Sequence, residues 1–257
     1  MHRLETFRSE CEKALTDLKS QNAEIRTNIQ THAIEKNSDK PMSSVLVQPI
    51  DYDRFYKEFE ERFRGSREAI ESRQKNYLVQ LGGSPVNLRD KTILDFGCGR
   101  GEWLKILSEA EFQCVGVDAS SSMSDEAKQN GLNVYCQDGL EFLMRQPVDQ
   151  FGAITSFQVV EHMPFNSLML FLDHAYRTIC PGGLLILETP NPENIEVGSC
   201  RFYLDPSHIK PIPPLTLQFL VEYRGFKNVE IVRLDDRGQI VADDFSQSVD
   251  YFIKAFK

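Results

Sequence analysis

The sequence predicts an α/β protein: a doubly wound, Rossmann-like parallel sheet with an antiparallel end, preceded by a helical extension. Three observations carry that prediction. From residue 90 onward, strand-length apolar runs alternate with helix-length amphipathic stretches. Glycines crowd the first strand-to-helix turn, Gly97-Cys98-Gly99-Arg100-Gly101. The last two apolar runs, over 229–234 and 249–256, follow one another with no helix between them, the pattern of an antiparallel hairpin on the sheet's edge.

Taken in order, residues 1–35 read as an amphipathic helix. Leu4, Cys11, Leu18 and Ile25 recur every seven residues, with Phe7 and Ala14 between them, until Gln21 and Asn28 interrupt the seam. Such a helix docks on its own domain or on another subunit. Residues 36–50, with Asn37-Ser38-Asp39-Lys40-Pro41, read as a linker. A main domain over 51–257 opens with helices across 51–89. Phe55, Phe59 and Phe63 fall on one helical face, Gly65-Ser66 breaks the helix, and a second runs over 69–81 to Gly82-Gly83. The arginines of Arg62-Phe63-Arg64-Gly65-Ser66-Arg67-Glu68 form either a solvated face or a ligand-facing one.

The alternation then places strands over 92–96, 112–117, 133–136, 151–156 and 184–188. Helices fall over 102–110, 122–130, 139–144 and 165–178, the last closed by Pro181-Gly182-Gly183. A proline-rich segment over 191–214, carrying Arg201, Tyr203, Asp205 and His208, is too long for a plain connection and reads as a lid over an acceptor. A helix over 215–223 precedes the terminal hairpin.

Composition narrows the function. With 257 residues, 41% hydrophobic and 26% charged, the chain has room for one large core. A net charge of −9 argues against a nucleic acid as the main partner, because phosphate neutralisation needs a basic face. No apolar run reaches the ~18 residues of a transmembrane helix, and Met1-His2-Arg3-Leu4-Glu5 lacks the apolar region of a signal peptide. Six scattered cysteines without a C-x-x-C pair read as reduced thiols, so a cytoplasmic location is expected.

The glycine loop lets a ligand approach the backbone closely. Position 102 is Glu where the dinucleotide fingerprint G-x-G-x-x-G has its third glycine, and an acid there repels a pyrophosphate, so the expected ligand is a nucleoside without phosphates. Acids close successive strands: Asp95 can pair with a cationic amino group, Asp118 can accept both ribose hydroxyls, and Asp138 can accept an adenine amino group with Leu140 as apolar cover. Each could instead cap a helix. Three on one sheet edge around a glycine loop favour a ligand.

Asp95-Phe96-Gly97-Cys98-Gly99-Arg100-Gly101 resembles motif I of class I S-adenosylmethionine-dependent methyltransferases. Asp118, Gln137-Asp138-Gly139, Phe157-Gln158-Val159-Val160-Glu161-His162 and Pro181-Gly182-Gly183-Leu184-Leu185 resemble their later motifs in order and spacing. The resemblance implies S-adenosylmethionine as cofactor and a seven-stranded sheet whose last strand is antiparallel. It implies Asp95, Gly97, Cys98 and Gly99 at the methionine end, Asp118 and Ala119 on the ribose, and Asp138 and Gly139 on the adenine, with Gln158 also facing the cofactor.

Phe63-Arg64-Gly65-Ser66-Arg67-Glu68, Glu188-Thr189-Pro190-Asn191-Pro192-Glu193-Asn194 and Phe202-Tyr203-Leu204-Asp205-Pro206-Ser207-His208 are similar to bacterial methyltransferases of surface-polysaccharide (O-antigen, lipopolysaccharide) assembly. That similarity implies a sugar-containing acceptor, Arg73 on the cofactor, and a glycosyltransferase or a second copy as partner of the N-terminal helix, at the inner face of the membrane.

A sugar hydroxyl is a poor nucleophile, so a base beside it helps by about 10²–10⁴-fold. His162 is the expected base, Glu161 either orients it or binds a sugar hydroxyl, and His208 is a further acceptor-side group. The same stretch resembles small-RNA 2′-O-methyltransferases and quinone O-methyltransferases that hold a divalent ion with Glu-x-x-Glu-His. Gln158 stands at the first of those positions here, with His208 as a further donor, and such a set suits Mg²⁺ or Mn²⁺. The alternatives are a small hydroxylated metabolite or an RNA 2′-hydroxyl as acceptor, or a cofactor-bound scaffold in an assembly complex.

Overall fold

A computed structural model describes residues 55, 58–59, 62–63, 65–242 and 245–257 of the chain. The expected N-terminal helix and the linker lie outside the described residues. Phe55, Phe59 and Phe63 are helical and stack at successive centroid distances of 6.1 and 4.6 Å, yet Phe55 and Phe63 are exposed. They form an aromatic ladder on the surface rather than a core face. Gly65 is left-handed (φ +101°), and Ser66 caps α1 (Arg67–Gln74) by accepting from the Ala69 amide. The basic cluster resolves towards solvent: Arg67 pairs with Glu126 and Arg62 lies over the Phe63 ring.

After α2 (Leu78–Leu81) the alternation runs β1 (Thr92–Phe96), α3 (Glu102–Glu109), β2 (Cys114–Asp118), α4 (Ser121–Gln129), β3 (Val134–Cys136), α5 (Gly139–Arg145), β4 (Phe151–Phe157), α6 (Phe165–Thr178) and β5 (Ile179–Pro190). Then follow α7 (Ile195–Ser199), α8 (Pro214–Tyr223), β6 (Lys227–Leu234), β7 (Ile240–Val241) and β8 (Asp250–Phe256). The strands form one sheet in the order β3-β2-β1-β4-β5-β8-β6-β7, with the first five parallel.

Three expectations need amending. The sheet has eight strands where seven were expected, because Ile240–Val241 adds a short edge strand against β6. The terminal hairpin is not simply appended, since β8 enters between β5 and β6 and is antiparallel to both. Tyr251, Phe252, Ile253 and Ala255 are buried on both faces of β8, so that strand needs two neighbours, whereas half-exposed β6 can lie nearer the edge. Lastly, Pro181-Gly182-Gly183 does not separate helix from strand. It is an irregularity inside β5, held by Gly182 N–H to the Lys257 carbonyl at 2.9 Å and Lys257 N–H to the Gly183 carbonyl at 3.0 Å.

Helices α5, α6 and α8 cover one face through residues such as Phe142, Phe171, Leu172, Leu217 and Val221. The other face buries Tyr77, Leu81, Trp103, Ile106 and Leu107 from the α1–α2 region and α3. Between β1 and β4 the strand order reverses, and in open α/β sheets ligands bind at such a switch point, outside the carboxyl ends of the strands. Among the described residues no helix is long and apolar enough to cross a membrane.

Candidate active site

At the carboxyl end of β1 the chain turns through three left-handed glycines before α3. Gly97 has φ +74°, and a Cβ there would stand 2.4 Å from Val159 Cγ2. Gly101, the cap of α3, has φ +82°, and its Cβ would meet Leu132 Cδ1 at 2.4 Å. Both positions therefore require glycine for space as well as for backbone geometry. Asp118 binds this turn: one carboxylate oxygen accepts from Gly99 N–H and the other from Ser120 N–H, each at 2.8 Å. Asp138 caps α5 by accepting from Glu141 N–H at 2.9 Å, so the capping role weighed against ligand contact is realised through one oxygen. Asp138 and Ala119 are exposed and Gly139 is half-buried on the same rim.

Asp95 is buried beneath the loop at 3% exposure. Its carboxylate accepts from Thr155 Oγ1 at 2.9 Å, and that hydroxyl accepts from Trp103 Nε1 at 3.1 Å. The relay from α3 to β4 to β1 fixes the carboxylate's direction. Cys98 is buried, and burial, with Asp95 and Asp118 nearby, pushes its thiol far above its ordinary range. It is a packing residue whose backbone, not its sulfur, serves the loop.

A cavity of about 410 Å³ opens on the β4–β5–β8 side, and Phe59, Arg73, Gln158, His162, Glu188, Asp205, His208 and Asp250 are among its lining residues. Here lie Arg73 and Gln158, expected at the cofactor, and they belong to a side-chain network. Arg73 pairs with Asp250, and the Tyr77 hydroxyl donates to Glu188. Gln158 Nε2 donates to Glu188 Oε1 at 2.9 Å and to Asp250 Oδ1 at 3.1 Å. Gln158 itself is left-handed (φ +58°), a strained state for a residue with a side chain, held by its N–H on the Glu188 carbonyl. Burial, then the neighbouring Glu188, push the Asp250 carboxyl up to about 6, against the opposing pull of Arg73 and Gln158.

Glu161 and His162, expected as orienting partner and base, lie together with His208 after β4. Glu161 is buried, accepts from Thr189 Oγ1 at 2.9 Å, and stands 3.9 Å from His208 Nε2, while Ser207 is the partner at His162 Nδ1, at 2.9 Å. Ser207 spends its one hydroxyl proton on Asp205 Oδ1 at 2.6 Å, so it accepts from Nδ1–H of His162 and leaves Nε2 with the lone pair. His208 Nδ1 lies 2.6 Å from the Phe202 carbonyl, which can only accept, so this imidazole too carries its lone pair on Nε2. That Nε2 faces Glu161 and Asp205 oxygens, both at 3.9 Å. A lone pair facing two carboxylates fits a cation or a proton between them.

Glu161, His162 and His208 offer ligand atoms that all lie within 4.8 Å of one another, a spacing that fits a divalent ion, and the two imidazoles suit Mn²⁺ better than the oxygen-seeking Mg²⁺. Gln158, at the first position of the expected set, donates to the Glu188–Asp250 pair. Sequence reasoning missed Asp250, Tyr77 and the site role of Glu188. Two of them left a signal: Glu188 ends the apolar run of β5, and Asp250 opens the apolar run of β8.

Residues 66–231 match the family described as a methyltransferase domain. A ubiquinone biosynthesis O-methyltransferase of Coxiella burnetii is 34% identical over 112 residues, 41% of this chain and 46% of that relative. The chain spans about half the length of the curated relatives it matches. An S-adenosylmethionine-dependent methyltransferase from Archaeoglobus fulgidus aligns with a TM-score of 0.68 and 29% identity, covering 79% of this chain and all of that one. Phosphoethanolamine N-methyltransferase 2 of Haemonchus contortus, solved with S-adenosyl-L-methionine, shares the fold at a TM-score of 0.60 and 14% identity over 79% of this chain and 60% of that one. The chain belongs to the class I S-adenosylmethionine-dependent methyltransferases.

Proposed function

We propose that this methyltransferase transfers its methyl group to a hydroxyl oxygen, on a sugar of a bacterial surface polysaccharide or its precursor. The observation that carries the oxygen assignment is the pair of imidazoles, His162 and His208, that line the cavity with their rings 4.7 Å apart and their Nδ1 atoms held by Ser207 and the Phe202 carbonyl. The relatives named as O-methyltransferases support it. The sugar assignment rests on the motif resemblance and on the mixed lining, in which Phe59 and Phe63 offer faces to a ring while Asp205 and Arg201 offer polar groups.

Asp95, the glycine loop, Asp118 and Asp138 would hold the cofactor along the β1–β3 edge, and the cofactor would supply the methyl group. Methyl transfer is an in-line displacement, so alignment is the main contribution, up to ~7–11 kcal/mol in favourable cases. His162 takes the acceptor's proton on Nε2, steadied by the Ser207–Asp205 chain at Nδ1. Buried Glu161 steadies His208. A divalent ion would be held by Glu161, His162 and His208 and would supply Lewis-acid polarisation of the acceptor oxygen.

The deciding experiment measures transfer of labelled methyl to a panel of surface glycans, sugar nucleotides and small catechols, with EDTA and with added Mn²⁺ or Mg²⁺. Transfer to a glycan is expected, with His162→Ala lowering turnover by about 10²–10⁴-fold while S-adenosylhomocysteine binding holds. Survival in EDTA assigns His162 the proton; loss in EDTA with recovery in Mn²⁺ assigns the three residues to the ion. Methylation of catechols alone would replace the sugar reading, in keeping with the ubiquinone-pathway relatives.

A further inference from the structure

Residue 158 is where the chain leaves β4 for the turn that carries Glu161 and His162. Its left-handed backbone (φ +58°) is one that a residue with a Cβ keeps only when its surroundings hold it. Three hydrogen bonds do so. The Gln158 N–H donates to the Glu188 carbonyl at 3.0 Å, and Nε2 donates to Glu188 Oε1 at 2.9 Å and to Asp250 Oδ1 at 3.1 Å. Tyr77 and Arg73 take the remaining oxygens of the two buried acids. Each of the four carboxylate oxygens thus has its donor, and a polar network satisfied in this way rigidifies what it holds. It ties Gln158 to α1, β5 and β8.

Two neighbours depend on that hold. Val159 follows directly and packs on the glycine turn, so closely that a Cβ on Gly97 would stand 2.4 Å from its Cγ2. Val160–His162 then form a 3₁₀ turn, closed by the His162 N–H on the Val159 carbonyl at 3.0 Å. That turn delivers the His162 ring to the cavity, 4.7 Å from the ring of His208. A change of backbone at 158 would swing both neighbours at once. Glutamine suits the position because its amide carries two hydrogens, one for each acid, where a glutamate of the same shape would add a third carboxylate.

We propose that Gln158 is a positioning residue for methyl transfer: clamped between Glu188 and Asp250, it keeps the glycine turn and His162 in register. It acts through Val159 and His162, not on the reacting atoms. In-line transfer makes this register matter, since a small misplacement of one partner costs rate without costing binding. The inference rests on His162 as the acceptor-side base, and it gives Gln158 a task other than the cofactor contact that motif resemblance implies.

The test compares the full chain with Gln158→Leu, which keeps the bulk and removes both amide donors. With S-adenosylmethionine and the acceptor identified in the panel above, kcat is expected to fall at least about tenfold, while the KM of each substrate stays within about threefold. In the S-adenosylhomocysteine complex, the imidazole nitrogen resonances of His162 are expected to shift as the ring leaves Ser207. A raised KM for S-adenosylmethionine with kcat retained overturns the proposal, by making Gln158 a cofactor contact. Unchanged kinetics with unmoved His162 resonances also overturn it, by leaving Gln158 a purely structural role. Should Gln158→Leu fail to fold, Gln158→Gly decides by the same measurements, since glycine suits the left-handed backbone and the space it leaves admits water to the two acids. Failure of the acceptor reading is separately visible. If no member of the panel is methylated, that reading falls, while the His162 resonances, read without any acceptor, still decide for or against the clamp.

Discussion

The edge proposed for the cofactor and the cavity proposed for the acceptor share one rim of the sheet, yet they are built from different materials. At the cofactor edge, main-chain amides meet nearby carboxylates: Gly99 N–H to Asp118 across 19 positions, Ser120 N–H to Asp118 across two, Glu141 N–H to Asp138 across three. In the cavity, side chain meets side chain over long separations: 177 positions from Arg73 to Asp250, 111 from Tyr77 to Glu188, 92 from Gln158 to Asp250. A site made of backbone tolerates side-chain change but not glycine loss. A site made of buried charges holds only while its charges balance, and acceptor choice can change there with the cofactor edge intact.

The sharpest way to break the contrast is Arg73→Met. It strips two buried carboxylates of their guanidinium and is expected to cost about 3 kcal/mol at pH 7.5 in urea unfolding. The groups facing Asp250 are Arg73 of α1, Tyr77 after it, Gln158 after β4 and Glu188 of β5. The Asp250 carboxyl titrates near 6 in the fold against an ordinary 3.8, so its contribution to stability is full below about 4 and is lost as pH rises through 6. Arg73 restrains that loss, so the deficit of the variant should shrink on going from pH 7.5 to 5. A deficit independent of pH would remove the charge-balance account.

Gly97→Ala strikes the other region. A left-handed backbone and a Cβ 2.4 Å from Val159 Cγ2 should cost about 2 kcal/mol and weaken S-adenosylhomocysteine at least about tenfold by calorimetry. Wild-type affinity would refute the close-approach argument.

Thr155→Val, nearly isosteric, removes the acceptor of Trp103 Nε1–H and the hydrogen bond that Thr155 gives to Asp95. A loss of about 1–2 kcal/mol in thermal or urea unfolding is expected. No change in stability would show the relay to be idle.

Asp138→Ala is the mildest. Loss of the cap of α5 should cost about 1 kcal/mol, with cofactor affinity down only a few-fold. An unchanged affinity would leave Asp138 as a cap and nothing more.

How much of this could be read from the chain follows the same division. Gly97, Gly99, Asp118 and Asp138 were legible because strand ends in a doubly wound sheet fall on one edge, so spacing along the chain becomes proximity in space. Arg73 and Gln158 were singled out for the cofactor, but their hydrogen bonds with Asp250 and Glu188 were not legible, because those partners lie far along the chain. That Glu161 also stands 3.9 Å from His208 was not legible, because the two are 47 positions apart and meet only in the fold.

The sequence by itself determined the alternating layers, the glycine turn and the order of the acids, since these depend on local periodicity, backbone sterics and strand-end geometry. The tertiary structure alone decided that β8 slots between β5 and β6, and with it that Asp250 comes to rest beside Pro190, within reach of Arg73 and Gln158. The physical reason is that burying a two-faced apolar strand is settled by the whole sheet. The charges that strand carries inward then find partners that no local pattern announces.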